Sequence, residues 1–294
     1  MDVRLATFIT VAKTKNFTRA ASILNMTQPA ISQQIKFLEE YYRVPLFNKK
    51  KKNMELTEEG KLLLKYALEM DRLSRRVKAE LENQSGIIKK YNLGVTLTIG
   101  GYVLPVIIGQ FKSAHPNIEL TLQVENTETI IKKLYSGEID LGIIEGPFDR
   151  EKVNYVKFKD DELVLAVAKQ HPFARKKWVS MEEVLRDRLI LREKGSGTRQ
   201  VFEYYLQQAG YELDDSAIYM EIGDITAIIS LVELNLGCTI ISREVLRQSL
   251  KNRTIRIIPI KGFRFLREFN FIFLSEADQG FIDGFIQFCR ETAM

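Results

Sequence analysis

The sequence predicts an all-α N-terminal region, a long connecting helix and a larger α/β region. Helical periodicity dominates as far as about residue 83, and beyond residue 90 short apolar runs alternate with helical stretches. The charge changes at the same place: residues 1–90 carry 18 Lys and Arg against 10 Asp and Glu, whereas residues 91–294 carry 25 against 28. This asymmetry is typical of a polyanion-binding module joined to a module with another task, although a lysine-rich solvated surface would give the same count.

The composition excludes several classes of protein. With 294 residues and 45% hydrophobic side chains, the chain can bury cores for two or more domains. No run approaches the roughly 20 apolar residues that span a bilayer, and the charged N-terminus lacks a signal-peptide core, so a cytoplasmic location away from membranes is predicted. Cys238 and Cys289 lie in apolar contexts, which predicts buried free thiols more readily than a redox switch. His115 and His171 lack a second ligand nearby, so no metal or other cofactor is expected.

Two short helices are predicted first. The apolar face of the first consists of Leu5, Phe8, Ile9 and Ala12. This helix should end near Lys15, and Thr18 is the predicted N-cap of the second. The second helix packs through Ala20, Ala21 and Leu24, and the two alanines let another helix come close.

A third helix should begin with Thr27 as its N-cap, hold Pro29 in its first turn, where a missing N–H costs nothing, and end near Tyr41. Its apolar face consists of Ile31, Ile35 and Leu38. The opposite face carries short amides and hydroxyls that can reach base edges and a lysine that can meet a phosphate. We therefore predict that this helix enters the major groove of double-stranded DNA through Thr27, Gln28, Pro29, Ser32, Gln33 and Lys36.

A β-wing is predicted after the third helix. Two apolar anchors, residues 45–47 and 54–56, flank the run from Lys49 to Lys52. At a hairpin tip, Lys49, Lys50 and Lys51 would contact phosphates and add affinity that depends on salt but not on base sequence. Taken alone, such a run is also typical of a solvated loop.

The stretch from Ala20 to Gly60 resembles the DNA-binding domain of LysR-type transcription regulators. The matching positions are Ala20, Ala21, Leu24, Gln28, Pro29, Ala30, Ser32, Ile35, Leu38, Glu39, Leu46, Phe47, Leu56, Thr57 and Gly60. The resemblance implies a winged helix-turn-helix over residues 1–58. One departure is Lys49, where that family usually has arginine; a phosphate contact would survive this change, but bidentate geometry would not.

A long helix is predicted from about Thr57 to Asn83, because the segment lacks proline and, after Gly60, glycine. Its apolar seam consists of Leu63, Ala67, Met70, Ser74, Val77 and Leu81. One helix cannot bury such a seam, so either a partner helix or the chain's own globular domain must cover it. The resemblance favours a linker and dimerisation helix over residues 59–88, which joins a homodimer or homotetramer through Leu63, Met70 and Val77.

The remaining chain predicts parallel sheets covered on both faces, because continuous apolar strands alternate with helices. The candidate strands are 92–95, 118–124, 139–144, 163–167, 189–191, 217–221, 238–241, 255–258 and 269–274. Residues 98–105, 136–146 and 192–203 resemble, in order, the effector domain of LysR-type regulators, which has the two-lobed α/β fold (type 2) of periplasmic binding proteins. The resemblance implies an effector-binding domain over 89–294, with one lobe from 89–162 and 267–294, the other from 163–266, and a small molecule between them.

Three groups of candidate effector contacts follow strands of this domain, where ligands of open α/β sheets bind. They are Thr96 and Thr98; Ser196, Gly197 and Thr198; and Asp224 and Thr226. With Lys194 and Arg199 beside it, the second group would suit a carboxylate or a small inorganic oxyanion. Each group could also consist of helix caps alone.

Within the family, the resemblance is closest to the subgroup that regulates sulfur assimilation and similar anabolic pathways. That subgroup tends to have a hydroxyl where this chain has Asp224. The change would place a negative charge beside the ligand, and it implies an effector that carries an amino group as well as an acid.

Three other functions compete with a ligand-gated DNA-binding regulator. A solute receptor of a transporter would need an export signal or lipid anchor, and neither is evident. An enzyme would need a nucleophile with a partner base, and Ser196 has no evident one. A helix-turn-helix that binds protein is opposed by the basic wing. The sequence therefore predicts a transcription regulator without enzymatic activity, whose partners are double-stranded DNA and a small effector.

Overall fold

The computed structural model describes residues 2–48, 54–83, 89–214, 217–275 and 277–293. The chain divides into two compact units, Met1–Lys89 and Lys90–Met294. Each unit has buried hydrophobic clusters of its own, so each has the anatomy of a separate domain.

In its described residues the first unit contains the helices α1 (Val3–Thr14), α2 (Phe17–Ile23), α3 (Gln28–Tyr42) and α4 (Glu58–Asn83). Their buried side chains form one core in which Phe8, Ile31 and Leu46 are fully buried. The apolar faces predicted for α1 and α3 contribute Leu5, Phe8, Ile9, Ile31, Ile35 and Leu38 to this core. The helical periodicity of the sequence therefore identified the side chains that hold these helices together.

The N-cap predicted for α2 is wrong. Asn16, and not Thr18, precedes the helix, and its Oδ1 accepts a hydrogen bond from the N–H of Arg19 at 3.0 Å. Asparagine is at least as good an N-cap as threonine. Beginning the helix at Phe17 also lets that ring pack against Phe47, with 6.0 Å between the ring centroids.

The segment between α3 and α4 closes as the base of a wing. Phe47 and Leu56 form an antiparallel bridge, and the N–H of Asn48 donates to the carbonyl of Glu55 at 2.9 Å. Gly60 of α4 lies so close to this base that a Cβ atom there would be 2.2 Å from the carbonyl oxygen of Leu46. The predicted phosphate contacts at the wing tip, Lys49, Lys50 and Lys51, lie outside the described residues.

The second unit is built on one mixed sheet. Its strands are β1 (Lys89–Thr96), β2 (Ile118–Glu125), β3 (Leu141–Glu145), β4 (Asn154–Ala168), β5 (Leu189–Leu191), β6 (Ile218–Glu221), β7 (Cys238–Ser242), β8 (Ile255–Ile258) and β9 (Phe265–Phe273), in the order β2-β1-β3-β9-β4-β7-β5-β6, with β8 also paired to β4. β1 and β3 are parallel, as are β5 and both of its neighbours, but β4 and β9 are antiparallel to their partners. The expectation of purely parallel sheets is therefore wrong in the middle of the sheet.

β4 and β9 are long strands that cross between two lobes, of which one contains β1 to β3 and the other β5 to β8. The sequence predicts only their apolar ends, 163–167 and 269–274, because charged side chains interrupt the apolar pattern. In the structure these charges lie where the strands pass from one lobe to the other, and Asp161 stands opposite Arg267 in the antiparallel register. A paired charge replaces apolar burial at this point.

Helices cover both faces of the sheet. They are α5 (Leu97–Tyr102), α6 (Leu104–Ala114), α7 (Thr127–Tyr135) and α12 (Gln279–Ala293) in the first lobe, and α8 (Met181–Arg186), α9 (Gly197–Gln208), α10 (Ile225–Glu233) and α11 (Arg247–Lys251) in the second. Each lobe has two buried clusters, and neighbouring residues of one strand, such as Val164 and Leu165, fall in different clusters. Coverage on both faces is therefore confirmed. Over the described residues, the helices are too short or too polar to cross a membrane.

Candidate DNA-binding and effector sites

The outer face of α3 carries the residues predicted to contact DNA. Thr27 caps the helix as predicted, since its Oγ1 accepts from the N–H of Ala30 at 3.4 Å. Gln28 Nε2 donates to the hydroxyl of Ser32, which is half-buried, at 2.9 Å. The exposed members of the set are Thr27, Gln28, Pro29, Gln33 and Lys36. The structure therefore brings these side chains onto one accessible surface.

Aromatic side chains continue this surface toward the end of α3. Phe37 and Tyr41 are exposed and stack with 6.3 Å between their centroids, and the guanidinium of Arg4 lies 4.1 Å over the Phe37 ring. Sequence reasoning missed this aromatic surface. The signal was available, because Phe37 and Tyr41 follow Gln33 at spacings of four and eight residues and so share its side of the helix.

The outer side of α4 carries an apolar stripe. It consists of Leu62, Tyr66, Met70, Leu73, Val77 and Leu81, which are 48% to 64% exposed. Met70 and Val77 are two of the three predicted dimerisation residues. The third, Leu63, is partly buried against the core of its own unit. Ala67, another residue of the predicted seam, is fully buried in that core. The predicted seam therefore divides between an internal contact and this outward stripe.

Arg267 lies on β9 where this strand passes between the two lobes, in the region that we call the cleft. Its Nε donates to Oδ2 of Asp161 at 2.7 Å, and its Nη1 donates to the hydroxyl of Thr198 on α9 at 3.0 Å. Asp161 also accepts a hydrogen bond from the Ser242 hydroxyl at 2.8 Å. Both members of the ion pair are buried. One guanidinium thus joins the crossing strands to the second lobe.

A second buried carboxylate lies beside this guanidinium. Glu145 ends β3 of the first lobe, is only 2% exposed, and places Oε1 3.8 Å from Nη1 of Arg267. Its other carboxylate oxygen accepts a hydrogen bond from the hydroxyl of Thr96. Its carbonyl oxygen accepts from the hydroxyl of Thr127 at 2.7 Å. A charge of the first lobe therefore meets the ion pair of the crossing strands here.

Two glycines allow the lobes to touch. A Cβ atom on Gly197, at the start of α9, would lie 2.0 Å from the carbonyl oxygen of Glu145. A Cβ atom on Gly146 would lie 2.6 Å from the Cα of Gly197. Gly146 also has a φ of +100°, which side-chain-bearing residues rarely adopt. Backbone of the second lobe can thus approach the first more closely than any larger residue would permit.

Two buried polar atoms, one on α5 and one on β9, have no hydrogen-bond partner in the described part of the chain. They are Oγ1 of Thr98, which is 1% exposed, and Nη2 of Arg267. A buried donor or acceptor without a partner costs roughly 1–3 kcal/mol, so such atoms normally meet water or a ligand.

The predicted effector residues separate into two groups. Thr96, Thr98, Ser196, Gly197 and Thr198 are buried, and Thr96, Gly197 and Thr198 contact Glu145 or Arg267. Asp224 and Thr226 are exposed, and the carboxylate of Asp224 caps α10 by accepting from the N–H of Ala227 at 2.8 Å. The capping interpretation therefore accounts for Asp224, whereas Thr96, Gly197 and Thr198 lie against Glu145 or Arg267.

Arg199, whose guanidinium was expected to bind the effector, forms ion pairs with acidic side chains of the protein. Its Nε donates to Glu203 at 2.6 Å, and its Nη1 contacts Glu221 and, at 3.3 Å, the carbonyl of Arg192. Sequence reasoning missed Arg267, Glu145 and Asp161 as cleft residues. The available signal was a charged residue at the end or in the middle of an otherwise apolar strand, as in residues 141–145 and 265–273.

Both cysteines are buried free thiols, as predicted. Burial raises the pKa of the Cys289 thiol to about 12 and raises the pKa of the Cys238 thiol further. The reactive form of cysteine is the thiolate. Burial therefore removes both the access and the ionisation that redox chemistry needs.

Comparison with known proteins identifies two regions of the chain. A family model described as bacterial regulatory helix-turn-helix protein, lysR family, matches residues 3–61, and the LysR substrate binding domain matches residues 85–294. The chain is 32% identical over 269 residues to the HTH-type transcriptional regulator CysL of Bacillus subtilis, covering 91% of this chain and 89% of that protein.

Two solved structures share the fold. The regulatory domain of CcmR from Synechocystis PCC6803, in complex with 2-PG, is 27% identical with a TM-score of 0.60, covering 67% of this chain and 96% of that one. Full-length CbnR complexed with the target DNA is 22% identical with a TM-score of 0.64, covering 99% of both chains. The second likeness supports the whole arrangement of elements at the level of the fold.

These findings define a helix-turn-helix transcription regulator with an effector-binding domain, a class of DNA-binding proteins and not of enzymes. The chain belongs to the LysR family. The similarity to CysL agrees with the subgroup that the sequence indicates.

The burial of the two thiols predicts resistance to modification. Because burial raises the folded-state pKa of each thiol above the unfolded value of about 8.5, both thiols stay neutral in the folded chain at pH 8. The stability that depends on the neutral form is lost progressively as the pH rises from the unfolded to the folded pKa. We expect iodoacetamide at pH 8 to label Cys238 and Cys289 in guanidinium chloride but not in the native chain, as measured by mass spectrometry. Rapid labelling of the native chain would contradict the burial of the two thiols. A DNA affinity that changes with hydrogen peroxide would contradict the absence of redox sensing by them.

Proposed function

We propose that residues 1–58 read DNA, that residues 59–88 join two or four copies, and that residues 89–294 bind an acidic small molecule that controls DNA binding. Residues 89–162 and 267–294 form one lobe in this proposal, and residues 163–266 form the other. The protein would work in the cytoplasm, where the DNA is. The unpartnered Nη2 of buried Arg267 is the observation that carries the effector part of this proposal.

The DNA-binding proposal rests on the outer face of α3. Gln33 is exposed, and an amide can make two hydrogen bonds to an adenine edge in the major groove. Gln28 and Ser32 are hydrogen-bonded to each other, which restricts both side chains before they meet DNA. Lys36 is 3.6 Å from Glu40 and is exposed, so it can reach a phosphate at the edge of the groove.

This division of labour predicts different effects for two kinds of substitution. Gln33→Ala should relax base preference at one position of the operator, because a paired base contact contributes about 1–3 kcal/mol of discrimination. Replacing Lys50 and Lys51 with Gln should weaken binding to all sequences and reduce the slope of the salt dependence by about one for each phosphate that a lysine no longer neutralises. Selection from randomised duplexes followed by fluorescence anisotropy measures both effects.

Gln207→Ala provides the matched control, since Gln207 is an exposed amide of α9 in the effector domain. It should change neither base preference nor salt dependence. Equal weakening on all sequences from both Gln33→Ala and the lysine changes would refute the assignment of base reading to Gln33.

The effector proposal rests on the buried groups of the cleft. Nη2 of Arg267 and the hydroxyl of Thr98 are each without a partner in the described chain, and each can donate to an acid group. Charge-assisted hydrogen bonds of this kind are roughly twice as strong as neutral ones. A carboxylate or a small inorganic oxyanion meets this requirement. The CcmR complex contains 2-PG, and the effector binding domain of QuiR, which is 20% identical with a TM-score of 0.59, was solved with shikimate. Shikimate carries a carboxylate, so an acidic effector is compatible with this fold.

Two threonines of the cleft should respond differently to the same substitution. Thr98→Val removes a hydroxyl that makes no hydrogen bond within the described chain, so the melting temperature should hold while the shift caused by an acidic ligand falls. Thr198→Val removes the acceptor of Arg267 Nη1, which should cost about 1–3 kcal/mol of unfolding free energy. Thermal-shift assays with sulfate, phosphate, small carboxylates and amino acids measure both.

Both threonine variants should still bind DNA in fluorescence anisotropy, because neither residue lies in the first unit. A Thr98→Val chain that loses as much stability as Thr198→Val, yet keeps its full response to ligand, would contradict the effector site.

The oligomer proposal rests on the apolar stripe of α4. Six side chains at helical spacing stay largely exposed in the single chain, and Met70 and Val77 lie among them. Apolar side chains repeated along one side of a helix favour pairing with a second helix. Two-fold pairing would also present two copies of α3 to two half-sites of an operator.

A double substitution tests this stripe. Met70→Glu with Val77→Glu should convert the oligomer to smaller species in sedimentation velocity, because four carboxylates would have to be buried in each paired interface. Lys61→Glu, at an exposed position of α4 whose side chain pairs with Glu58 and not with the stripe, is the control and should leave the assembly unchanged. An unchanged sedimentation coefficient for the double variant would exclude pairing through this stripe.

Ligand and DNA are coupled, in this proposal, through the packing of subunits. A ligand that favours one arrangement of the lobes changes how the copies of the effector domain pack, and thereby the spacing or bend of the paired DNA-binding domains. An effector that binds the second unit but alters neither DNA affinity nor footprint would exclude this coupling.

A further inference from the structure

We propose that the effector is a zwitterion, an α-amino acid or a derivative with a free amino group, whose ammonium pairs with Glu145 and whose acid group pairs with Arg267. This inference rests on the effector site proposed above and adds the charge of its occupant. It also makes Glu145 the residue that distinguishes amino acids from plain acids.

The first argument is the balance of charge inside the cleft. Asp161 already neutralises Arg267, since its Oδ2 lies 2.7 Å from Nε. Glu145 then brings a second carboxylate to the same guanidinium, at the longer distance of 3.8 Å from Nη1. The three side chains are nearly inaccessible to solvent. Two acids thus share one cation in a place where solvent screens little.

Neighbouring cations do not correct this balance. Arg192 is buried and pairs with Glu193 at 2.8 Å, and Arg199 pairs with Glu203 at 2.6 Å and also with Glu221. Lys194 is exposed on the loop before α9, where water screens its charge. The described residues around the cleft therefore carry more acid than base.

The second argument is the match between site and ligand. A plain anion bound at Nη2 of Arg267 would bring a third negative charge against one guanidinium, and uncompensated buried charge is costly. A zwitterion supplies the acid that Arg267 can bind and the cation that Glu145 can bind. Because Glu145 and Arg267 are neighbours, the two charges of the ligand must be neighbours as well. An α-amino acid has this arrangement.

The structure thereby changes the reason for expecting an amino group. The sequence placed the extra negative charge at Asp224, which is exposed and caps α10. Glu145 is the acid that lies inside the cleft, and its carboxylate is held by the hydroxyl of Thr96. A polar group held by a neighbour is oriented before the ligand arrives.

The test compares amino acids with their deaminated counterparts on the full chain. Thermal-shift screening with the twenty amino acids is followed by calorimetry of those that bind, each against its matched acid, such as alanine against propanoate and serine against 3-hydroxypropanoate. Sulfate and phosphate complete the panel. We expect at least one amino acid to bind at least tenfold more tightly than its deaminated acid.

The decisive variant is Glu145→Gln, which keeps an acceptor for Thr96 but removes the charge. It should weaken the amino acid at least tenfold and strengthen the deaminated acid, so that the preference is lost or reversed. Glu183→Gln is the matched control, because Glu183 pairs with Lys176 and contacts none of the arginines around Glu145, and it should preserve the preference. Fluorescence anisotropy with DNA checks that both variants remain folded and active.

Three results would overturn the inference: no amino acid binds, a deaminated acid or inorganic oxyanion binds wild type as tightly as the best amino acid, or Glu145→Gln leaves the preference unchanged. These results are separable from failure of the effector site. If an oxyanion binds and Thr98→Val weakens that binding, the effector site is retained and the zwitterion inference fails. If an amino acid binds and Thr98→Val does not change that binding, the ligand lies elsewhere, and both the effector site and the zwitterion inference fail.

Discussion

The effector domain depends on the buried ion pair between Arg267 and Asp161. These residues face each other where β4 and β9 pass from one lobe to the other, and they are 106 positions apart in the chain. Removing one partner of a buried pair typically costs about 3–5 kcal/mol, because the other charge is left uncompensated. The same guanidinium reaches Thr198 of the second lobe and approaches Glu145 of the first. A ligand that binds its remaining Nη2 therefore acts on the group at which both lobes meet.

The sequence predicts structure well where the cause is local. Thr27 and Pro29 begin α3, the periodicity of Ile31 and Ile35 assigns its buried face, and the absence of proline extends α4 to Asn83. Prediction fails where the partner is distant in the chain. The charged middles of β4 and β9 resemble loops until each supplies the other's counter-charge. Apolar runs also identify a strand without giving its direction, which is why antiparallel β4 and β9 were not anticipated.

The candidate site divides in the same way. Thr96, Thr98, Ser196, Gly197 and Thr198 were predictable because residues that follow a strand and begin a helix line the cleft of such a domain. Arg199 looked like the cation of the site because it lies in the first turn of α9. In the structure the Arg199 guanidinium is instead paired with Glu203, one turn later in α9, and with Glu221 of β6. The cation that we propose instead, Arg267, comes from the interior of β9, and only the three-dimensional pairing of β4 with β9 brings it to Thr198 and Glu145.

The binding free energy needed to shift the protein between two states can be compared with the free energy of the hydrogen bonds that the cleft can form with a ligand. Moving a two-state equilibrium from 1:99 to 99:1 requires about 5.5 kcal/mol of differential binding. Hydrogen bonds to charged groups contribute about 1.5–3 kcal/mol each, so two or three of them are sufficient. In the proposed site, Nη2 of Arg267 and the carboxylate of Glu145 offer two such groups. The contact between Gly146 and Gly197 brings both lobes within reach of one small molecule, and a larger residue at either position would hold the lobes apart and weaken this coupling.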